Sequence, residues 1–212
     1  MSPLLVALLG ILLLPLFVGS WRTSIFGLGC QGLLMASIAH RLEPNPSSAQ
    51  DFVLLADLAI VRGLLVPFAF YAVLRARNTP ARNDVIPPNL LSWTVALSLV
   101  LASFSFAEVL VPEAGEQRTL VAVATAGILL GFLVLATQSD PLSQMIGALR
   151  IENAIALLEL GGKRTEPPLG LQLALLAVFL TTVAYFRFYL NVLGSAEPSA
   201  SVGTSESEGP TL

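Results

Sequence analysis

Residues 145–160 read MIGALRIENAIALLEL. The run has the length and apolar content of a membrane helix, yet it carries Arg150, Glu152, Asn153 and Glu159. A charge at the centre of a bilayer costs at least ~2.5 kcal/mol on insertion scales. A helix that keeps several of them must turn them toward other helices or toward internal water. Glu152 and Glu159 are seven residues apart, two helical turns, so they share a face at a spacing of roughly 10 Å along the axis. Arg150 lies about 200° round the axis from Glu152, too far for a direct pair. Glu152 therefore needs a partner from another helix, and this run is the candidate functional site of the chain.

The composition around it belongs to a membrane protein. Of 212 residues, 55% are apolar and 12% charged, with a mean hydropathy of +0.78, against about 25% charged residues in soluble domains. The reading is an all-α integral membrane protein, a bundle of about seven transmembrane helices. The single cysteine, Cys30, excludes an internal disulfide, and the single histidine, His40, excludes a multi-histidine metal site. Gly27 to Gly32 mimics a glycine-rich phosphate loop, but inside a membrane helix it lacks the strand-to-helix context such a loop needs. The loops are too short to hold a soluble catalytic domain. Bond-making chemistry and nucleic-acid binding are therefore not expected of this chain, whereas proton movement is compatible with it.

Seven apolar segments are expected, at residues 3–18, 24–41, 52–75, 89–111, 118–137, 143–160 and 169–190. A Ser/Glu/Gly/Pro-rich stretch over 193–212 has the composition of a disordered tail. The first segment has no basic n-region and no good cleavage site, so it reads as a retained helix, lipid-facing or peripheral. Trp21 and Arg22 after it, and Tyr185, Phe186, Phe188 and Tyr189 near the other end, read as interfacial anchors. Gly27, Gly29 and Gly32 in the second segment, and the Gly127/Gly131 pair in the fifth, suggest close helix packing, with Gln31 available to bond across an interface. The third segment holds Asp57 and Arg62. Five residues apart, they fall about 140° round an α-helix from each other, which makes a poor internal pair. Pro67 lacks a backbone N–H and leaves the carbonyl of Gly63 without its usual donor, a plausible place for water.

Three stretches resemble one known family: GLGCQGLLMASIA at 27–39, RGLLVPF at 62–68, and TQSDPLSQMIGALRIENAIALLEL at 137–160. They are similar, in order and spacing, to the hydrogenase-4 component E family, small membrane subunits of group 4 nickel–iron hydrogenase complexes of the formate hydrogenlyase type. The most specific piece is Arg150-Ile151-Glu152-Asn153, and Arg62 matches a basic residue that the family shows before LLVP. That family is similar in turn to subunit K of complex I. Met145-Ile146-Gly147 and Asn153-Ala154 match the frame around the membrane glutamate of that subunit, but Leu149 occupies the glutamate position and Glu152 lies three residues later. The acid that subunit K carries on its next helix has no counterpart, since residues 169–186 contain none.

The resemblance implies a non-catalytic subunit in a prokaryotic cytoplasmic membrane. Its implied partners are antiporter-like membrane subunits, a membrane protein of the complex I H type and a soluble hydrogenase or electron-transfer arm. Nickel–iron and iron–sulfur centres would reside in those partners, with no cofactor in this chain. On that basis Glu152, Arg62, Glu159, Asp57, Arg150 and Asn153 are candidates for a proton path, with Arg62 the expected neighbour of Glu152. Two other readings stand beside it: a structural spacer whose charges fix assembly, including in a relative without hydrogenase activity, and an independent small-solute transporter. The chain has no obvious inverted repeat to favour the last.

Seven helices put the termini on opposite sides. Basic residues concentrate at Arg75, Arg77 and Arg82, so the positive-inside rule places that loop in the cytoplasm, with the N-terminus outside and the C-terminus inside. A cysteine at Asn78 in a Cys30-free variant is expected to react only with reagent supplied from the cytoplasmic side. Labelling from the periplasm alone would reverse the orientation.

Overall fold

The computed structural model describes residues 2–18, 20–45, 47–76, 90–162 and 168–195. Arg77, Arg82, Lys163, Arg164 and the tail from 196 on lie outside them. The described residues form seven helical rods: α1 (Pro3–Phe17), α2 (Trp21–Leu42), α3 (Ala49–Ala76), α4 (Leu90–Leu110), α5 (Glu116–Thr137), α6 (Pro141–Gly161) and α7 (Leu169–Ser195). α2, α3, α4, α5 and α7 are long and apolar enough to cross a membrane. The protein is an all-α membrane protein. α6 is less apolar because Arg150, Glu152 and Glu159 interrupt it.

Local chemistry sets the helix starts, several of them earlier than hydrophobicity alone suggests. α3 begins at Ala49 because Ser48 and Asp51 form a capping box: the Asp51 N–H donates to the Ser48 hydroxyl, and the Ser48 N–H donates back to the Asp51 carboxylate. α6 begins at Pro141, where Pro at the first position needs no donor and Asp140 accepts from the Leu142 N–H at 2.8 Å. α7 runs to Ser195, past the point where composition places the start of the tail.

The third rod is not one α-helix. Ala49–Ala56 is α-helical, Asp57–Leu65 is a π-helix, and Val66–Ala76 is α-helical again. The Val66 N–H reaches the Val61 carbonyl, five residues back. Pro67 follows at once. Without an N–H it can donate neither to the Arg62 carbonyl in the π pattern nor to the Gly63 carbonyl in the α pattern.

Glycines set the distance between α2 and this segment. A Cβ on Gly32 would lie 2.6 Å from the Gly63 nitrogen and 2.7 Å from the Arg62 carbonyl carbon, and one on Gly29 would lie 2.9 Å from the Gly63 oxygen. The two backbones touch, as small residues in membrane helices permit. The Gly127/Gly131 pair makes room on α5 for side chains of α6. A Cβ at Gly127 would meet the Ala154 Cβ at 2.8 Å, and one at Gly131 would collide with the Ile151 side chain.

α1 corrects an expectation. Its uniform apolarity suggests a lipid-facing helix, but Leu5, Leu8, Leu12 and Leu16 are buried on one stripe against Met35 and Ile38 of α2 and Val123 and Ala126 of α5. A helix apolar on every side has no periodicity to show which side meets protein, because lipid tails are as apolar as leucine. A second core joins Trp21, Ile25 and Leu28 of α2 to Val66 and Phe70 of α3, to Met145, Ile146 and Leu149 of α6, and to Phe179 and Val183 of α7.

Gly32→Ala should cost about 1–3 kcal/mol or more, the usual penalty of overpacking, because the atoms in its way are backbone. Gly10→Ala should cost nothing, since no atom lies within 4 Å of the added Cβ. Thermal aggregation of the two variants in native membranes would check the contrast, and equal behaviour would contradict the backbone contact.

Candidate functional site

The site is built on the π segment of α3. In an α-helix residues five apart diverge by about 140°. Hydrogen bonds from i+5 to i widen the turn and swing residue i+5 back toward the side of residue i. Asp57 and Arg62 are such a pair. The Arg62 Nε–H donates to Asp57 Oδ2 at 2.9 Å, an ion pair whose side chains are 8% and 15% exposed. The sequence reading of a poor internal pair is thereby corrected: it assumes α-helical geometry, and the backbone adopts another.

Two more helices complete the setting of the guanidinium. Arg62 Nη1 donates to Asn153 Oδ1 of α6 at 2.9 Å, and Asn153 is itself buried. Arg62 Cζ lies 4.0 Å from the ring centroid of Phe179 on α7, a cation–π contact. Behind it, Gly32 of α2 rests on the Arg62 backbone. The guanidinium is thus held by an anion, an amide oxygen and an aromatic face, with four helices meeting around it.

The other predicted residues separate. Glu152 adjoins Asn153 and is half-buried, and Arg62 and Asp57 are the charges that act on it. It is not the direct partner of Arg62, which bonds to Asp57 and Asn153 instead. Arg150 is buried on another side of α6, where Nη1 donates to the Leu12 carbonyl of α1 at 3.3 Å. That placement follows from its large angular separation from Glu152, and it removes Arg150 from the cluster. Glu159 is exposed near the end of α6, away from the buried cation. Asp57, Arg62, Asn153 and Glu152 therefore come together, and Arg150 and Glu159 do not.

Phe179 escaped the sequence reading. It is one of eleven phenylalanines, and nothing in its local sequence marks it as the one beneath a cation. The role of Gly32 was visible only as a general tendency to pack, and Gly63 stood out only for its carbonyl below Pro67.

The charges define what the cluster can do. Arg62 stays protonated at every accessible pH. One carboxylate balances it, and when both Asp57 and Glu152 are ionised the group carries one excess negative charge. A single proton neutralises that excess. Asp57 Oδ1 is buried and accepts no hydrogen bond among the described residues, so the pair retains an open acceptor.

Over 140 residues the sequence is 31% identical to hydrogenase-4 component E of Escherichia coli (strain K12), and the match covers 64% of this chain and 63% of that protein. Hydrogenase-4 component E of Escherichia coli O157:H7 and of Shigella flexneri match to the same extent. Over that stretch the chain is similar to hydrogenase-4 component E. The matched part spans 63% of the length of these relatives. No family model matches the chain, and no solved structure matches it.

Breaking a buried pair by removing one partner costs about 3–5 kcal/mol, because the other charge is left uncompensated. Arg62→Met and Asp57→Leu are each expected to lower the level of folded protein in membranes strongly. The double substitution should recover part of it, since the stranded charge is gone. Strictly additive losses in this double-mutant cycle would show that the two side chains do not interact.

Proposed function

We propose that this chain is a non-catalytic membrane subunit of a complex I-like, group 4 hydrogenase-type respiratory complex. In that reading Asp57, Arg62, Asn153 and Glu152 form part of a buried path for protons. The observation that carries it is the juxtaposition of two carboxylates with one permanent cation inside an apolar bundle. Such a group takes up and releases one proton while its net charge moves only between zero and one negative charge. The similarity to hydrogenase-4 component E supports the assignment to a hydrogenase membrane complex. Its site is a prokaryotic cytoplasmic membrane, with the N-terminus outside. Its partners are antiporter-like subunits, a membrane protein of the complex I H type and a soluble arm that holds the nickel–iron and iron–sulfur centres.

One observation favours a second reading, a structural spacer. Arg62 is clamped by Asp57, Asn153 and Phe179 at once, and a fixed cation of this kind joins three helices whether or not protons move. The two readings part at Glu152, which the clamp does not use. Glu152→Gln keeps the size and hydrogen-bonding capacity of the side chain but removes its proton. The assembled complex carrying it is expected to lose proton-coupled turnover while its subunit content stays normal. An assembled Glu152→Gln complex with an unchanged proton-to-electron ratio would leave only the spacer.

A further inference from the structure

Arg22 and Trp21 open α2 at the membrane boundary, and only Trp21 is buried. Arg22 is exposed and enters no ion pair among the described residues. It stands at one end of a groove of about 570 Å³ between α2 and α3. Because the two helices run antiparallel, Arg22 and Thr23 at the start of α2 lie level with Tyr71 near the end of α3. From there the groove continues past Phe26, Phe68 and Leu64 to Gly63 and Pro67, where the π segment meets the α-helix. Phe26 and Phe68 are 71% and 73% exposed. Arg75, exposed as well, follows Tyr71 by one turn on the same face of α3. The groove therefore has a cationic and hydroxyl-bearing mouth at the membrane boundary and an apolar channel running toward the bilayer centre. From residue 22 to residue 29 of α2 that depth is about 10 Å.

We propose that this groove is a binding site for an anionic phospholipid of the leaflet that faces the Arg75 end of α3. The phosphate sits at Arg22, whose planar fork matches phosphate oxygens in bidentate fashion. Thr23 and the Tyr71 hydroxyl are within the same mouth, and an acyl chain lies along Phe26, Leu64 and Phe68. Charge complementarity selects this occupant. A protein helix would fill the apolar channel equally well but has no need of a bare cation at its end, whereas a lipid presents an anion at that depth above a hydrocarbon chain. The basic residues at this end of the bundle add to the preference, each worth a local enrichment of about fivefold in anionic lipid near the surface.

The test is photo-crosslinking in native membranes, with the chain in its complex. Phe26 is replaced by benzoylphenylalanine, and the adducts are identified by mass spectrometry. Phe132 supplies the control. It is also exposed, at 55%, and lies five residues from the end of α5 on the same side of the bundle, hence at a similar depth. Phosphatidylglycerol and cardiolipin adducts are expected at Phe26 at about five times their share at Phe132. Arg22→Gln should reduce that excess to the control level, and Arg22→Lys should keep most of it. Adducts at Phe26 that mirror the bulk lipid composition would overturn the proposal. So would crosslinks at Phe26 predominantly to another subunit, since the groove would then be a protein interface. The comparison of Phe26 with Phe132 in the otherwise unaltered chain decides the matter even where an Arg22 variant fails to assemble.

Discussion

A guanidinium at membrane depth cannot lose its proton, and taking such an ion out of water costs several kcal/mol even after the surroundings relax. Much of this bundle can be understood as the solution to that problem at Arg62. An anion must come from close by, and Asp57 is close only if the α3 backbone shifts to i+5 bonding. A π segment is wider than an α-helix and exposes backbone polar groups in unusual directions. α2 meets it with glycines at 29 and 32, where a side chain would collide with the Arg62–Gly63 backbone. α6 must present Asn153 rather than an apolar residue, and α7 must place an aromatic face over the cation. One buried charge thus constrains four helices.

The compensation is asymmetric. Asp57 gives one oxygen to Arg62, and its other oxygen is buried without a hydrogen bond among the described residues. Glu152 stands half-buried alongside. The expected resemblance to the subunit K frame meets a physical limit here. Leu149, at the position where that frame has its glutamate, is 1% exposed and packs among Leu28, Met145 and Phe179. An ionisable group there would sit in an apolar core.

The helices divide the work differently. α1, α2, α5 and α6 interlock through leucine stripes and glycine contacts. α4 and α7 bury much less and expose Leu97, Leu101, Val178 and Phe188 outward. Lipid and neighbouring subunits are the natural surroundings for such faces, since exposed apolar surface carries no penalty in a bilayer.

The sequence by itself determined the class of the molecule, the number of rods and the residues worth attention. Twenty-residue apolar runs have one stable form in lipid, because every backbone polar group must be bonded within its own segment. A charge within such a run is too costly to be incidental, which is why Arg62, Asp57 and Glu152 stand out in the bare sequence. Asn153 was legible only through its neighbours. Pairing was not legible at all. It depended on the hydrogen-bonding register of α3, and periodicity arguments assume 3.6 residues per turn, so they placed Asp57 and Arg62 apart. The burial of α1 was invisible for a related reason, since uniform apolarity carries no direction. The choice of Phe179, the close approach at Gly32 and the exclusion of Arg150 from the cluster were decided only by tertiary structure, because each depends on which helix lies next to which, and residues as far apart as 62 and 153 meet only once the bundle has packed.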